Sequence, residues 1–77
     1  MKIIIAGAGE VGTHLAKLLS REEQDIILID NNEEKLRELD ANYNLMTVVG
    51  NPTAFQTLEQ AKVHQADLFI AVMPFET

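Results

Sequence analysis

A glycine-rich segment near the start of the chain has the residue types and spacing best suited to chemistry. Residues 7–12 read Gly-Ala-Gly-Glu-Val-Gly, a G-x-G-x-x-G pattern. Between a strand and a helix, Gly7 would permit a tight turn, Gly9 would let a pyrophosphate approach the backbone, and Gly12 would let the helix pack closely. Because the unpaired amides at the start of such a helix can hold phosphate, we favour a nucleotide site over a glycine turn without a ligand. The residues expected in this part of the site are Gly7, Ala8, Gly9, Glu10, Val11 and Gly12.

Asp30 is the expected ribose ligand. It follows an apolar run and lies 18 residues after Gly12, where a carboxylate can accept hydrogen bonds from the ribose hydroxyls of a dinucleotide. The same charge would repel a 2′-phosphate, which predicts a preference for NAD over NADP. The alternative is a helix-capping role beside Asn31 and Asn32. Asn31 is included in the expected site.

Two further segments are expected at the same crevice. Residues 50–53 read Gly-Asn-Pro-Thr after the third apolar run, which would bring Asn51 to the adenine edge. An ordinary turn is an equal alternative there, because Gly, Asn and Pro all favour turns. The fourth apolar run ends with Ala71 and Val72, which are the last two expected site residues. These segments supply Gly50, Asn51, Thr53, Ala71 and Val72.

Four apolar runs predict the strands that carry these turns. The runs are Lys2–Ala6, Asp25–Ile29, Leu45–Val49 and Asp67–Val72. None alternates cleanly with polar residues, which favours a parallel sheet covered on both faces. Right-handed crossovers between successive strands then predict the order 3-2-1-4. The expected fold is α/β, a truncated, Rossmann-like, doubly wound parallel sheet. Residues 1–77 would form one nucleotide-binding domain, the N-terminal portion of a longer protein.

Helical patterns fill the intervals between the runs. In residues 10–20, one face carries Val11, Leu15, Leu18 and Leu19. In residues 32–42, Leu36, Leu39 and Tyr43 share a face, and Asn31 is the expected N-cap. A shorter third helix is predicted over residues 54–61, with Thr53 as a cap and with Phe55 and Leu58 facing the sheet.

Composition excludes several classes of protein. The 77 residues contain no cysteine, so disulfide scaffolds and thiolate metal sites are excluded. The net charge of −6 argues against nucleic acid as a partner. No run of about 20 apolar residues is present, so direct membrane insertion is not expected. His14 and His64 are expected to be surface residues rather than metal ligands.

The combination of segments resembles the RCK or KTN family of domains that regulate potassium conductance, and within it the N-terminal domains of the TrkA type. The resemblance covers essentially the whole chain and is carried by residues 2–12, Ile29-Asp30, residues 48–53 and the Ala-Asp-Leu-Phe-Ile-Ala-Val run at 66–72. The family commonly has Gly-Asp after the third strand, whereas this chain has Gly50-Asn51.

The resemblance implies a role as well as a fold. Such domains belong to cytoplasmic subunits at the inner face of the cell membrane, which assemble into rings on a potassium channel or transporter membrane subunit. Binding of NAD or NADH, or alternatively of ATP or ADP, changes the ring and so the ion flux. By resemblance, the three glycines hold phosphate, Asp30 holds the ribose, and Asn51 with Thr53 lies at the adenine.

Two functions from different classes follow. The first is a non-enzymatic regulatory module that gates its membrane partner through a nucleotide-dependent conformational change. The second is the cofactor-binding half of an NAD-dependent dehydrogenase, which would need a substrate domain and an acid or base beside the nicotinamide. Regulation is favoured, mostly on the resemblance. A homo-oligomer is also expected, because the fourth strand would leave an open sheet edge along Leu68–Val72, followed by the apolar residues 73–75. The alternative is a monomer with a frayed tail, in which Pro74 limits pairing at this edge.

Overall fold

Strands and helices alternate along the chain in the order that the apolar runs predict. A computed structural model describes residues 1–22 and 24–72. The elements are β1 (Lys2–Ala6), α1 (Glu10–Ser20), β2 (Asp25–Asp30), α2 (Glu33–Asn42), β3 (Met46–Val49), α3 (Phe55–Gln60), a short 3-10 helix (Val63–Gln65) and β4 (Leu68–Ala71). The 3-10 helix was not predicted. The apolar residues 73–75, which were expected to extend the open sheet edge, lie with the rest of residues 73–77 outside the described residues.

The four strands form one parallel sheet in the order β3-β2-β1-β4, which confirms the predicted topology. β1 pairs with both of its neighbours, so that Ile3 lies between Ile26 of β2 and Leu68 of β4. β2 pairs in turn with β3, where Ile27 lies opposite Met46. This order places the ends of β1 and β2 side by side at the centre of the sheet.

The core lies on both faces of the two central strands. On one face, Ile3 and Ile5 of β1 pack with Ala16 of α1 and with Leu36 of α2. On the other face, Ile4 packs with Ile27, Ile29, Ala61 and the partly buried Leu58. Burying these branched side chains against helices on both sides stabilises the centre of the sheet.

The edge strands differ from the central ones. The expectation of cover on both faces holds for β1 and β2 but not for β3 and β4, whose strands bury no residue completely. Leu68 and Phe69 of β4 and Met46 and Val49 of β3 are exposed. An edge strand has one neighbouring strand instead of two, so one of its long sides is uncovered and its apolar side chains stay open to solvent.

The buried side of α1 differs from the predicted face. Val11 and Leu18 are exposed, whereas Gly12 and Ala16 are buried. Leu15 and Leu19 lie partly buried against the core, so half of the predicted face is right. The small residues Gly12 and Ala16 make the contact with the sheet, because they let the helix axis come close to the strands. The larger Val11 and Leu18 therefore lie on the exposed side of the helix.

Two helix starts also differ from the prediction. The N-cap of α2 is Asn32 and not Asn31, since the Asn32 side chain accepts a hydrogen bond from the Lys35 amide at 3.1 Å. The helix α3 begins after Ala54 without a side-chain cap, so Thr53 does not cap it. Phe55 does not face the sheet, because 75% of its surface is exposed at the first position of this short helix.

Lys62 has a left-handed backbone immediately after the C-cap of α3. Its φ of 58° and ψ of 50° lie in a region that side chains disfavour. Lys62→Gly should therefore raise the free energy of unfolding by roughly 0.5–1 kcal/mol, after allowance for the greater freedom of glycine in the unfolded chain. Urea unfolding followed by circular dichroism measures the change. Lys35→Gly is the matched control, because the same exchange inside α2 should lower the stability. A Lys62→Gly protein less stable than the parent would contradict a left-handed backbone at Lys62.

Candidate nucleotide-binding site

The carboxyl ends of the strands meet along one edge of the sheet. The Gly7 amide after β1 donates to the Ile29 carbonyl at 2.8 Å, and the Gly50 amide after β3 donates to the Asp30 carbonyl at 2.9 Å. On the other side of β1, the Val72 amide donates to the Ala6 carbonyl at 2.9 Å. The turns that follow the strands are therefore neighbours, as expected for a doubly wound sheet.

Two of the glycines in the turn between β1 and α1 are required by the backbone. Gly7 has a φ of 111°, which only glycine adopts without strain. A Cβ at Gly12 would lie 1.9 Å from the Gly7 carbonyl oxygen and 2.8 Å from the Val72 Cγ2 atom. The tight turn predicted at Gly7 and the close packing predicted at Gly12 are both confirmed.

Gly9 is different because nothing in the fold requires its missing side chain. Its φ of −72° is open to any residue. Among residues 1–22 and 24–72, a Cβ built on Gly9 would meet no atom within 4 Å. The space over Gly9 is therefore open, and the approach of a pyrophosphate through that space stays a prediction.

The first turn of α1 offers a set of backbone donors beside this open space. Gly9 is the N-cap in an extended conformation and makes no side-chain cap bond, and the Thr13 amide is the first to bond back, to the Gly9 carbonyl at 2.9 Å. Within residues 1–22 and 24–72, the amides of Glu10, Val11 and Gly12 have no hydrogen-bond partner. Amides at a helix N-terminus attract an anion, and the helix dipole adds to that attraction.

Asp30 links the glycine turn to the start of α2. Its Oδ1 atom accepts a hydrogen bond from the Ala8 amide at 3.0 Å, and its Oδ2 atom accepts one from the Asn32 amide at 2.9 Å. Asp30 is partly exposed, and a carboxylate has about four acceptor positions. Asp30 thus supports the turn and still has acceptor capacity. The ribose contact stays a prediction.

Thr13 contacts the glycine turn of the candidate site and was missed in the sequence. Its hydroxyl donates to the Ala8 carbonyl at 2.9 Å, so the side chain reaches back from α1 across the glycine turn. The only signal in the sequence is a hydroxyl directly after the last glycine of the pattern. That signal is weak, because a helical threonine more often bonds within its own helix.

Asn51 forms a turn with Thr53. Its Oδ1 atom accepts hydrogen bonds from the Thr53 amide at 2.9 Å and from the Thr53 hydroxyl at 2.7 Å. Because a backbone amide can only donate, the side-chain atom facing it is the oxygen, and the Asn51 amide nitrogen is the group left for other contacts. This geometry fits the ordinary-turn alternative. A contact with adenine stays a prediction, and it would be made more readily by the nitrogen than by the oxygen.

The remaining predicted residues lie along the same edge. Asn31 is exposed beside Asp30, Ala71 pairs with Ala6, and Val72 lies against Gly12. Gly50 sits over α3, since a Cβ there would lie 2.6 Å from the Thr57 hydroxyl oxygen. The structure thus brings the predicted residues to one edge of the sheet, with Thr53 joined to it through Asn51.

A surface groove continues from the glycine turn along α1. It has a volume of about 760 Å³, and its lining includes Glu10 and Val11 at the start of α1 together with Lys17 and Lys35. Across residues 1–22 and 24–72, no cluster of three or more His, Cys, Asp or Glu side chains is placed to hold a metal ion. Over the same described part of the chain, no helix is long and apolar enough to cross a membrane.

Comparison with known proteins places these features in a family. The TrkA-N domain matches residues 3–76, almost the whole chain. The chain is 47% identical over 72 residues to the Trk system potassium uptake protein TrkA of Halomonas elongata, and the match covers 94% of this chain and 16% of that protein. It is 46% identical to TrkA of Haemophilus influenzae with the same coverage. It is 38% identical to a TrkA homolog of Pyrococcus abyssi, covering 94% of this chain and 32% of that relative.

The matches confirm the resemblance on which the regulatory interpretation was based. These three relatives have the names of potassium uptake proteins and not of enzymes, so the comparisons favour regulation over the dehydrogenase alternative. The chain spans from about one-sixth to about one-third of the length of these relatives.

Proposed function

The chain belongs to the TrkA-N domain family, and from that membership and the geometry of the glycine turn we propose that it is the NAD(H)-binding or adenine-nucleotide-binding regulatory module of a potassium uptake system. The observation that carries the proposal is that the amides of Glu10, Val11 and Gly12 have no hydrogen-bond partner among the described residues, next to the open space over Gly9. A pyrophosphate placed there would accept hydrogen bonds from the backbone, and no lysine would be needed.

The neighbouring turns suit the rest of a dinucleotide. Asp30 lies at the end of β2, next to the phosphate-binding turn, and its free acceptor positions fit the ribose hydroxyls. The turn at Asn51 follows the next strand of the sheet, which is where the adenine would lie. NAD or NADH uses all of these positions, whereas ATP and ADP use only the adenosine side and the phosphates.

The proposed action of the module is on a membrane partner. We propose that nucleotide binding changes the contacts between copies of the module, and that this change gates a potassium channel or transporter subunit at the inner face of the membrane. The exposed residues Leu68 and Phe69 on the edge strand β4 offer a surface for another copy or for further parts of the protein. Self-association stays a prediction.

The choice of cofactor gives the first test of this proposal. Asp30→Ala should weaken NAD binding roughly 10- to 100-fold, because a hydrogen bond to a charged acceptor contributes about 1.5–3 kcal/mol. The unmodified protein should bind NAD more tightly than NADP, because the Asp30 carboxylate would face the 2′-phosphate. Isothermal titration calorimetry with both dinucleotides measures the two effects. Tighter binding of NADP than of NAD by the unmodified protein would contradict the role of Asp30 at the ribose.

A further inference from the structure

We propose that Thr13 and Asp30 are positioning residues, which hold the backbone of Ala8 and so keep the glycine turn in its nucleotide-binding shape before a ligand arrives. The inference rests on the proposed function and deepens it, because it assigns a role to a residue, Thr13, outside the glycine pattern. It also gives Asp30 a second role that does not depend on the ribose.

Both backbone polar groups of Ala8 are fixed by side chains from other parts of the fold. The Ala8 amide donates to Asp30 Oδ1 at 3.0 Å, and the Ala8 carbonyl accepts from the Thr13 hydroxyl at 2.9 Å. Ala8 itself is 1% exposed. The two bonds therefore fix the peptide planes on either side of Ala8, directly before Gly9.

The turn needs such support because its sequence gives it little stiffness. Gly7 and Gly9 flank Ala8, and glycine has more backbone freedom than any other residue. Ordering a flexible segment during binding weakens affinity, whereas a segment ordered beforehand does not. Holding Ala8 therefore fixes the backbone that leads into Gly9 and into the following amides of Glu10 and Val11.

Variants of Thr13 can distinguish the positioning of Ala8 from direct contact with the ribose. Its hydroxyl bonds to the backbone of the turn, on the α1 side, whereas Asp30 reaches Ala8 from the end of β2. Thr13→Val keeps the shape of the side chain and replaces only the hydroxyl, with a methyl group. Thr13→Ser keeps the hydroxyl and removes a methyl group, so it is the matched rescue variant.

The binding test uses ADP and 2′,3′-dideoxy-ADP, which lacks both ribose hydroxyls that Asp30 could bind. By calorimetry, Thr13→Val should weaken both ligands by about 3- to 10-fold, and Thr13→Ser should bind them like the parent protein. Asp30→Ala should also weaken dideoxy-ADP, although it removes a negative charge that repels the diphosphate. Asp25→Ala is the control, since it removes the same charge from the opposite end of β2 and should not weaken binding.

A second measurement reports on the turn without any ligand. Hydrogen exchange followed by NMR should show faster exchange of the Ala8 amide in Asp30→Ala than in the parent or in Asp25→Ala. Unfolding curves establish that each variant is folded.

Three outcomes would overturn the inference. Unchanged ADP affinity in folded Thr13→Val would remove the role of Thr13. Unchanged or tighter binding of dideoxy-ADP by Asp30→Ala would leave Asp30 with the ribose alone, and the proposed function would stand. A parent protein that binds neither ADP nor NAD would overturn the proposed function and this inference together.

Discussion

Gly12→Ala is expected to lower the free energy of unfolding by about 3 kcal/mol or more, since the new Cβ would overlap backbone that cannot move aside. That Cβ would lie 1.9 Å from the Gly7 carbonyl oxygen, in a turn whose Gly7 is already fixed by its bond to Ile29. Relief would require α1 to move away from the sheet, which would open the contact between Ala16 and the core. For a domain of this size the loss is a large part of the total stability.

Gly9→Ala is the matched control for this effect. The same methyl group three residues earlier would meet no atom within 4 Å, and the backbone φ of −72° suits alanine. In urea unfolding followed by circular dichroism, the midpoint of Gly9→Ala should lie near that of the parent protein, and the midpoint of Gly12→Ala should lie far below it. Equal midpoints for Gly12→Ala and the parent protein would mean that α1 does not pack against the turn as described.

Gly9→Val is expected to abolish nucleotide binding in a protein that remains folded, with a loss of affinity of at least about 100-fold. The valine side chain would fill the open space over the turn, beside the amides of Glu10 and Val11, which have no partner in the described part of the chain. The pyrophosphate would then be held away from its donors. Calorimetry with NAD and with ADP measures the loss, and unfolding curves show that the fold persists.

The Gly9→Ala variant, with its smaller side chain, is expected to have an intermediate loss of nucleotide affinity. Its methyl group takes up less of the space, so its affinity should lie between those of the parent protein and Gly9→Val. A folded Gly9→Val protein with the parent affinity would show that phosphate does not approach over Gly9, whatever else the domain binds.

The central strands and their order could be predicted from the sequence. β1 and β2 are continuous apolar runs buried on both faces, and the parallel order follows from right-handed crossovers. The side of α1 that packs could not be predicted in the same way. Hydrophobic periodicity marks large residues such as Val11 and Leu18, whereas the contact with the sheet is made by the small Gly12 and Ala16.

The N-cap of α2 shows a similar limit. Asp30, Asn31 and Asn32 stand in a row, and each has a side chain that can cap a helix. The choice depends on where β2 ends, and the bond from the Gly50 amide to the Asp30 carbonyl keeps Asp30 in the sheet. Asp30 in turn holds the Asn32 amide, which leaves the Asn32 side chain to cap the helix.

Within the site, the sequence could predict residue types but not the contacts between turns. The glycine spacing correctly predicted the turn at Gly7 and the close packing at Gly12. The contact of Thr13 with Ala8 depends on the path of the chain between them, and the two hydrogen bonds that Thr53 donates to Asn51 depend on the shape of a loop. Neither is encoded in a spacing rule.

The most direct test of nucleotide binding at the glycine turn is a calorimetric titration of the unmodified 77-residue chain with NAD, NADH, ATP, ADP, AMP and NADP. We predict saturable binding of at least one adenine nucleotide at one site per chain, with NAD bound more tightly than NADP and with all binding lost in Gly9→Val. A folded chain that binds none of the six nucleotides would contradict this prediction.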